Sequence, residues 1–447
     1  MTRTTRRGHR LRGSAGAVAL LLVGALALAG CGRDQSSRDE GSAGDSTGVT
    51  DTSIKIGATY PLTGVAAPGY SEIPKGVKAY FDYVNDHGGV YDRKIDYVVK
   101  DDAYNPTTTS SVTNELVLKD QVFAVMGALG TPTHEAVVDF LNSSKVPDVF
   151  VSSGSVTWGD DPTKHPWTFG WQTDYESEGK IIGKWIADNM PHAKVGLFLQ
   201  NDDFGASGEK GLRQYIDKQI VAVSKYTPGG TDVTPQIAAL KAKKADLVVG
   251  FNVPSYTALS QLVAMKLNYQ PQWFYSNVGS DATLVGSLLA NFSKGQVKNG
   301  AALLNGVMTT AYLPTVDMTD DPWIQLFEKV WKANGVKGPL SNYEVYGMAQ
   351  AYTFVQALQA AGKDLTREGL VKVLEEQGGS LTGPVYAPYR FSADSHLGTS
   401  GMKVVKLEGG KVQQVTGVET TDIGDAAITN ADQEEATPPA DGIPPAK

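Results

Sequence analysis

Residues 53–102 read SIKIGATYPLTGVAAPGYSEIPKGVKAYFDYVNDHGGVYDRKIDYVVKDD, and two periods alternate within them. The runs 54–59 and 95–100 are short and β-branched, as buried strands are. Between them Ile73, Val77, Tyr80, Phe81 and Val84 recur at helical spacing and stop before Gly88-Gly89. The unit is βαβ, which requires a parallel pair joined by a crossover helix. The runs 122–126 and 149–151 extend the same sheet. The pattern restarts after Asp174: a helix through Ile181, Ile182, Trp185 and Ile186, a strand at 195–199, a helix through Leu212, Tyr215 and Ile216, then strands at 220–223 and 246–251. A second parallel sheet is expected, giving an α/β protein with helices on both. A weak internal echo accompanies the division, since Asp101-Asp102 and Asp202-Asp203 each close an apolar strand.

The flanks do not read as folded chain. Residues 1–30 carry Arg3, Arg6, Arg7, Arg10 and Arg12 and no acid, followed by an uncharged apolar run from Ala15 to Gly30 that is too short for a bilayer span. Leu28-Ala29-Gly30-Cys31 resembles a lipobox, so residues 1–30 are expected to be a lipoprotein signal peptide and Cys31 the lipidation site. The other reading is a signal-anchor helix with an incidental cysteine. Either the general secretory or the twin-arginine route fits the Arg6-Arg7 pair. Residues 31–51 are Ser, Gly, Thr and Asp with little apolar content and read as a lipidated tether, and 423–447, rich in Ala, Asp, Glu and Pro, as a disordered tail. The expected location is the outer face of the cytoplasmic membrane, held by lipid.

With 447 residues, 41% of them hydrophobic, the chain is long enough for two cores. Forty basic against 48 acidic residues give −8, and without the five leader arginines −13, which leaves no basic character for nucleic acid. Catalytic signatures are missing. No phosphate loop, dinucleotide fingerprint or G-x-S-x-G elbow occurs, and histidines 9, 87, 134, 165, 192 and 396 are scattered, so no metal set or cofactor is expected. Asp203-Phe204-Gly205 spells a kinase triplet without the rest of a kinase.

What remains is a set of strand ends. The run 122–126 leads into Gly127-Ala128-Leu129-Gly130-Thr131-Pro132, where Thr131 is placed as a helix N-cap and Pro132 as the first helical residue. Such a helix start offers free N–H groups to an anion. The next strand ends in Ser152-Ser153-Gly154-Ser155, beside the same crevice at the carboxyl ends of parallel strands. Either these residues bind a ligand, or Thr131 merely caps and the serines merely turn the chain.

In order along the chain, Pro61-Leu62-Thr63-Gly64, Gly88-Gly89, Asp101-Asp102, Gly127 to Thr131, Phe150-Val151-Ser152-Ser153-Gly154 and Gln200 to Gly205 resemble the leucine/isoleucine/valine-binding family of periplasmic receptors. These are substrate-binding components of ABC importers with the type I binding-protein fold. The resemblance implies two lobes joined by three hinge crossings: lobe 1 from 53–172 and 310–380, lobe 2 from 173–309 and 381–422. It implies no enzyme activity, a monomer, a small-molecule solute, and permease and ATPase subunits as partners. Carried over by position, Thr131, with Gly130, holds a ligand carboxylate. Ser153, Gly154 and Ser155 hold its charged head, Phe204 is an aromatic lid, and the 253–256 turn supplies another aromatic.

The departures bear on the ligand. The acid that commonly pairs with a ligand ammonium falls at Asn277, which supplies no charge; either Asp281 replaces it or the solute carries no amine. The usual first-loop aromatic falls at Pro68, with Tyr70 close by, and a lone Cys31 excludes the disulfide of some relatives. Two other functions compete with import. A secreted serine hydrolase built on Ser153 requires a base, for which His165 is the nearby candidate, and a ligand sensor coupled to a membrane signalling protein has the same sequence features as a receptor for import.

Overall fold

A computed structural model of the chain describes residues 44–336, 338–431 and 436–445. The expected signal peptide, the lipidation site Cys31 and the tether up to residue 43 lie outside the described residues. Five strands form the first sheet: β1 (Ser53–Tyr60), β2 (Lys94–Asp101), β3 (Ala124–Met126), β4 (Asp148–Val151) and β5 (Thr168–Gly170), all parallel in the order β2-β1-β3-β4-β5. Helix Ile73–Asp86 makes the first crossover and buries Ile73, Val77, Tyr80, Phe81 and Val84. The periodicity of the sequence lies on that buried face. Helix Asn342–Ala361 covers it, with Tyr352 edge-on to Tyr80 at 6.0 Å and Phe354 against Phe81 at 6.2 Å between ring centres.

The second sheet holds β6 (Val195–Gln200), β7 (Ile220–Tyr226), β8 (Leu247–Phe251), β9 (Gln272–Tyr275), β10 (Met308–Ala311), β11 (Gly401–Glu408), β12 (Lys411–Gln414), β13 (Glu419–Thr420) and β14 (Thr429–Asn430). Its order is β14-β13-β11-β10-β9-β8-β6-β7, with β12 on β11. The sheet is mostly parallel, as expected: β6 to β10 pair in parallel, and β11 to β14, which the sequence reading did not place, add antiparallel pairs. No crossover helix delivers β11. It returns from the helices on the first sheet and turns straight back at Gly409-Gly410 into β12, which only antiparallel strands allow.

The chain passes from one sheet to the other three times, near 171–174, 312–321 and 381–400. Two of these passages touch backbone to backbone. A Cβ on Gly398 would lie 2.2 Å from the carbonyl carbon of Trp171, so only glycine fits there. Thr399 N–H donates to Trp171 O at 3.0 Å, Thr173 Oγ1 to Gly401 O at 2.9 Å, and Arg390 pairs with Asp174 at 2.7 Å.

Both flanks are shorter than the sequence suggests. Within the expected tether Asp45 pairs with Arg367 at 2.7 Å, and Val49 bridges to Ile54. Within the expected disordered tail Thr429–Asn430 forms β14, and Tyr80 and Tyr83 hydroxyls donate to the carbonyls of Gly442 (2.8 Å) and Asp441 (2.7 Å). The reason for the miss is physical. These segments are fastened through backbone groups, which composition does not register. The strongest case is Lys180, whose side chain is wholly buried and whose Nζ donates to the carbonyls of Asp422, Gly424 and Ala426 at 2.6, 2.9 and 2.6 Å.

Lys180→Met removes that donor from three buried acceptors and should cost at least about 1.5–3 kcal/mol in urea unfolding, the worth of a charge-assisted hydrogen bond. Limited proteolysis should then cut first after residue 419. A second expectation concerns Asp102, just past β2, where burial pushes the carboxyl up to about 6 against hydrogen bonds from Tyr104 N–H (2.9 Å) and Thr109 Oγ1 (3.1 Å). A raised carboxyl stabilises below its unfolded pKa and loses that contribution as pH rises through the folded value. Asp102→Asn should therefore gain stability on the parent protein as pH rises from about 4 to 6 and hold that gain above, by no more than about 3 kcal/mol, read as a rise in melting temperature relative to the parent.

Candidate functional site

The two hydroxyl clusters singled out in the sequence meet. β3 runs through residues 127–130 into a short helix, Thr131–Glu135. Its N-cap is Gly130 at φ 113°, so Thr131 is the first helical residue and Pro132 the second, one position later than the sequence suggests. Five residues carry little macrodipole. What the turn supplies is the Thr131 hydroxyl and its backbone N–H, which as a first-turn group has no intrahelical acceptor. β4 ends in a register shift between Val149 and Val151, with buried Phe150 at φ 61°, and this bulge re-aims the serines that follow. Thr131 Oγ1 and Ser153 Oγ lie 2.8 Å apart. The Tyr175 hydroxyl sits beside both, and burial pushes it up to about 12, so it stays a neutral donor.

A cavity of about 550 Å³ opens at this point between the carboxyl ends of the two sheets. Of the residues expected there, Tyr70, Gly130, Thr131, Phe204, Asn277 and Asp281 line it. Ser153, Gly154 and Ser155 stand behind its wall, which Ser152 forms instead: Ser155 donates to Asp203, and Gly154 O accepts from Tyr175 N–H at 2.7 Å. In the 253–256 turn Val253 faces the cavity. Tyr256 stacks on Tyr226 with ring centres 3.9 Å apart and donates to Gly230 O. Tyr70 lines the first loop, and Pro68 does not. The sequence reading missed Tyr104, Tyr312, Tyr343 and Tyr346, which also line the cavity. Trp171 backs two of them, 6.2 Å from Tyr312 and 5.1 Å from Tyr346. Their signal was weak because Tyr312 lies in a later passage between the sheets and Tyr343 and Tyr346 in helix Asn342–Ala361, far in sequence from the strand ends.

The electrostatics of the wall turn on Glu178, which is wholly buried in helix Tyr175–Asn189. Burial raises its pKa, and four donors oppose that rise. Its Oε1 accepts from Thr310 Oγ1 (2.5 Å), Asn277 N–H (2.8 Å) and Asn277 Nδ2 (3.0 Å), and its Oε2 from Ser276 Oγ (2.9 Å). Asn277 thus gives both of its N–H groups to a carboxylate inside the wall. Asp281 caps helix Ala282–Phe292 by accepting from Leu284 N–H at 2.7 Å, and its other oxygen accepts from Asn342 Nδ2 at 2.7 Å. Both acids near the expected ammonium position are engaged by the protein itself.

The last of those bonds also spans the cavity, joining the covering helix of the first sheet to the second. Others do the same: Ser255 Oγ donates to Val65 O at 2.8 Å, Gln200 Nε2 to the Tyr104 hydroxyl at 3.2 Å, and Ser155 to Asp203. At Gly69, φ 83°, the approach is closest, since a Cβ there would meet Leu284 and the Tyr343 ring at 2.6 Å. His165 turns to Asp139 at 3.1 Å and to Thr157 O, while His134 binds Asp148 at 2.7 Å, and neither bonds to Ser153. Among the described residues no group of three or more His, Cys, Asp or Glu is placed to hold a metal ion, and no helix is long and apolar enough to cross a membrane.

Residues 53–411 match the protein family described as Periplasmic binding protein. The Leu/Ile/Val-binding protein homolog 1 of Brucella abortus is 24% identical over 340 residues, which are 73% of this chain and 83% of that protein. Among solved structures, a branched-chain amino acid ABC transporter protein from Thermus thermophilus with bound valine superimposes with a TM-score of 0.71 at 19% identity, over 83% of this chain and 98% of that one. A fatty acid ABC transporter substrate-binding protein from Thermomonospora curvata gives 0.69 at 24% identity, over 84% and 94%. With the two sheets and the cavity between their carboxyl ends, these likenesses place the chain in the periplasmic binding protein family, with the type I fold of the leucine/isoleucine/valine-binding receptors.

Proposed function

We propose that this protein is the extracytoplasmic solute receptor of an ABC importer, held by lipid at Cys31, and that its two lobes close over a small carboxylic acid with an apolar body and no ammonium group. The lobes follow the two sheets, with the three passages between them as the hinge. The observation that carries the ligand class is that the acids at the cavity are engaged by the protein: Glu178 by four donors, Asp281 by two, and Asp317 by Thr315 Oγ1 and Val412 N–H. An unpaired charge would cost several kcal/mol on closure. At the other end Thr131 and Tyr175 offer hydroxyl donors to a carboxylate, with Ser153 orienting Thr131. Phe204, packed on Tyr175 with ring centres 4.4 Å apart, covers the apolar body. The relatives' names are consistent with either head group, since one solved neighbour holds valine and another is named for fatty acids. The family and fold are those of binding proteins, and the absence of a base near Ser153 supports a receptor without catalysis.

A thermal-shift panel of matched pairs separates the head groups: each carboxylic acid should raise the melting temperature more than the α-amino acid with the same side chain. Tighter binding of the amino acids throughout would refute the amine-free reading. Thr131→Val should then weaken the bound acid roughly ten- to a hundredfold, the loss of one charge-assisted hydrogen bond, with melting of the free protein changed little. Closure has its own test in Gly69→Ala. The added methyl meets Leu284 of the other lobe only when the lobes are together, and Tyr343 of its own lobe in either state. Affinity should fall about tenfold and ligand-induced contraction in small-angle scattering should shrink; Leu284→Ala in the Gly69→Ala background should restore both, while the loss of stability in the free protein, from Tyr343 and the left-handed backbone, should remain.

A further inference from the structure

The cavity is larger than a small acid needs, and its far end has a different character. From the hydroxyl end it continues past Tyr312 to residues 313–317 and the β11–β12 hairpin. The pairing explains why that end is apolar. Thr309 lies opposite Val405, and Leu407 opposite Val412, so alternate residues of β10, β11 and β12 present one face. Val405, Leu407 and Val412 line the cavity on that face, and Leu313 and Val316 line it from the passage leaving β10. Val405 and Leu407 are otherwise buried, at 2% and 3% exposure, so this is an interior wall rather than open surface. Its parts are held in place. Val412 N–H donates to Asp317 at 3.3 Å, tying hairpin to passage, and Val316 N–H donates to Asn342 Oδ1 at 2.9 Å, tying passage to helix. A volume of about 550 Å³ falls within the range of cavities that enclose drug-sized ligands.

We infer that the ligand is elongated: its carboxylate sits at Thr131 and its hydrocarbon portion, a chain or a substituted ring system, occupies an arm walled by Leu313, Val405, Leu407 and Val412. This rests on the receptor reading above and adds the ligand's length and the residues that limit it. Burying successive methylenes in the arm tightens binding by about fourfold each until the arm is full. Leu407 is then a specificity residue, since its side chain sets how far a chain reaches. Lys411, exposed at the hairpin tip, takes no part in holding the head group.

The test is calorimetric titration of the full-length protein with straight-chain monocarboxylates from butanoate to dodecanoate. The parent protein should show affinity rising with chain length to a plateau. Leu407→Trp should move that plateau several carbons shorter while butanoate and hexanoate bind as before, and Lys411→Gln should leave the whole series unchanged. Affinity that does not rise with length, or a plateau that Leu407→Trp does not move, overturns the arm while leaving the receptor intact. Loss of binding in Lys411→Gln overturns the placement of the head at Thr131. Failure of every chain length to bind, with a matched amino acid binding instead, overturns the amine-free reading on which the arm rests. Because Leu407 is buried in β11, Val412→Phe on the less buried β12 serves as a second plug if Leu407→Trp does not fold.

Discussion

The close approach of Gly398 to Trp171 constrains the molecule more than any other contact. No side chain fits between these two passages, so they run as one two-stranded strap, reinforced by Thr173 on Gly401 and Arg390 on Asp174. A buried ion pair of this kind contributes little net stability but fixes geometry, because separating its partners leaves a charge unsolvated. The third passage packs on the strap through Tyr312 against Trp171. In the proposed receptor, relative movement of the sheets would be confined to bending about this place, beside which Tyr312 also lines the cavity.

One negative charge beside the cavity is kept inside the protein. Glu178 is buried without an ion-pair partner among its hydrogen bonds, and Thr310, Ser276 and Asn277 stabilise it with neutral donors from three separate segments. Asn277 therefore has a structural role that its position at the cavity wall conceals. An acid at 277 would stand against Glu178 at hydrogen-bond distance, where two carboxylates do not both ionise readily. The choice between an amide and an acid at 277 is in effect a choice about where the negative charge resides, in the wall or in the solute's path.

How far the sequence carried this reading differs by element. The βαβ unit was legible because Ile73, Val77 and Tyr80 share one buried face and β1 is buried on both sides; β2, which also read as a buried strand, lies at the sheet edge and is only partly covered. The meeting of Thr131 with Ser153 was legible because residues at the carboxyl ends of adjacent parallel strands must converge. β11 was not legible, since its partner β10 lies some ninety residues earlier and long-range antiparallel pairing leaves no local period. Glu178 looked like one more polar helix residue, as its four donors come from residues 276, 277 and 310. The flanks misled because Lys180 grips one by its carbonyls, and Arg367 holds the other at Asp45, through the carboxylate and, from its backbone N–H, the carbonyl.

Helix Asn342–Ala361 covers helix Ile73–Asp86 from far along the chain, and this has a consequence for how the protein is made. Tyr80, Phe81 and Val84 have no cover until most of the polypeptide has left the ribosome. The first sheet cannot nucleate as an independent amino-terminal unit, and its topology places it among the slow, non-local folders. An exported chain gains from that delay, because translocation needs an extended substrate, while the uncovered aromatics remain exposed to association with other chains throughout the wait.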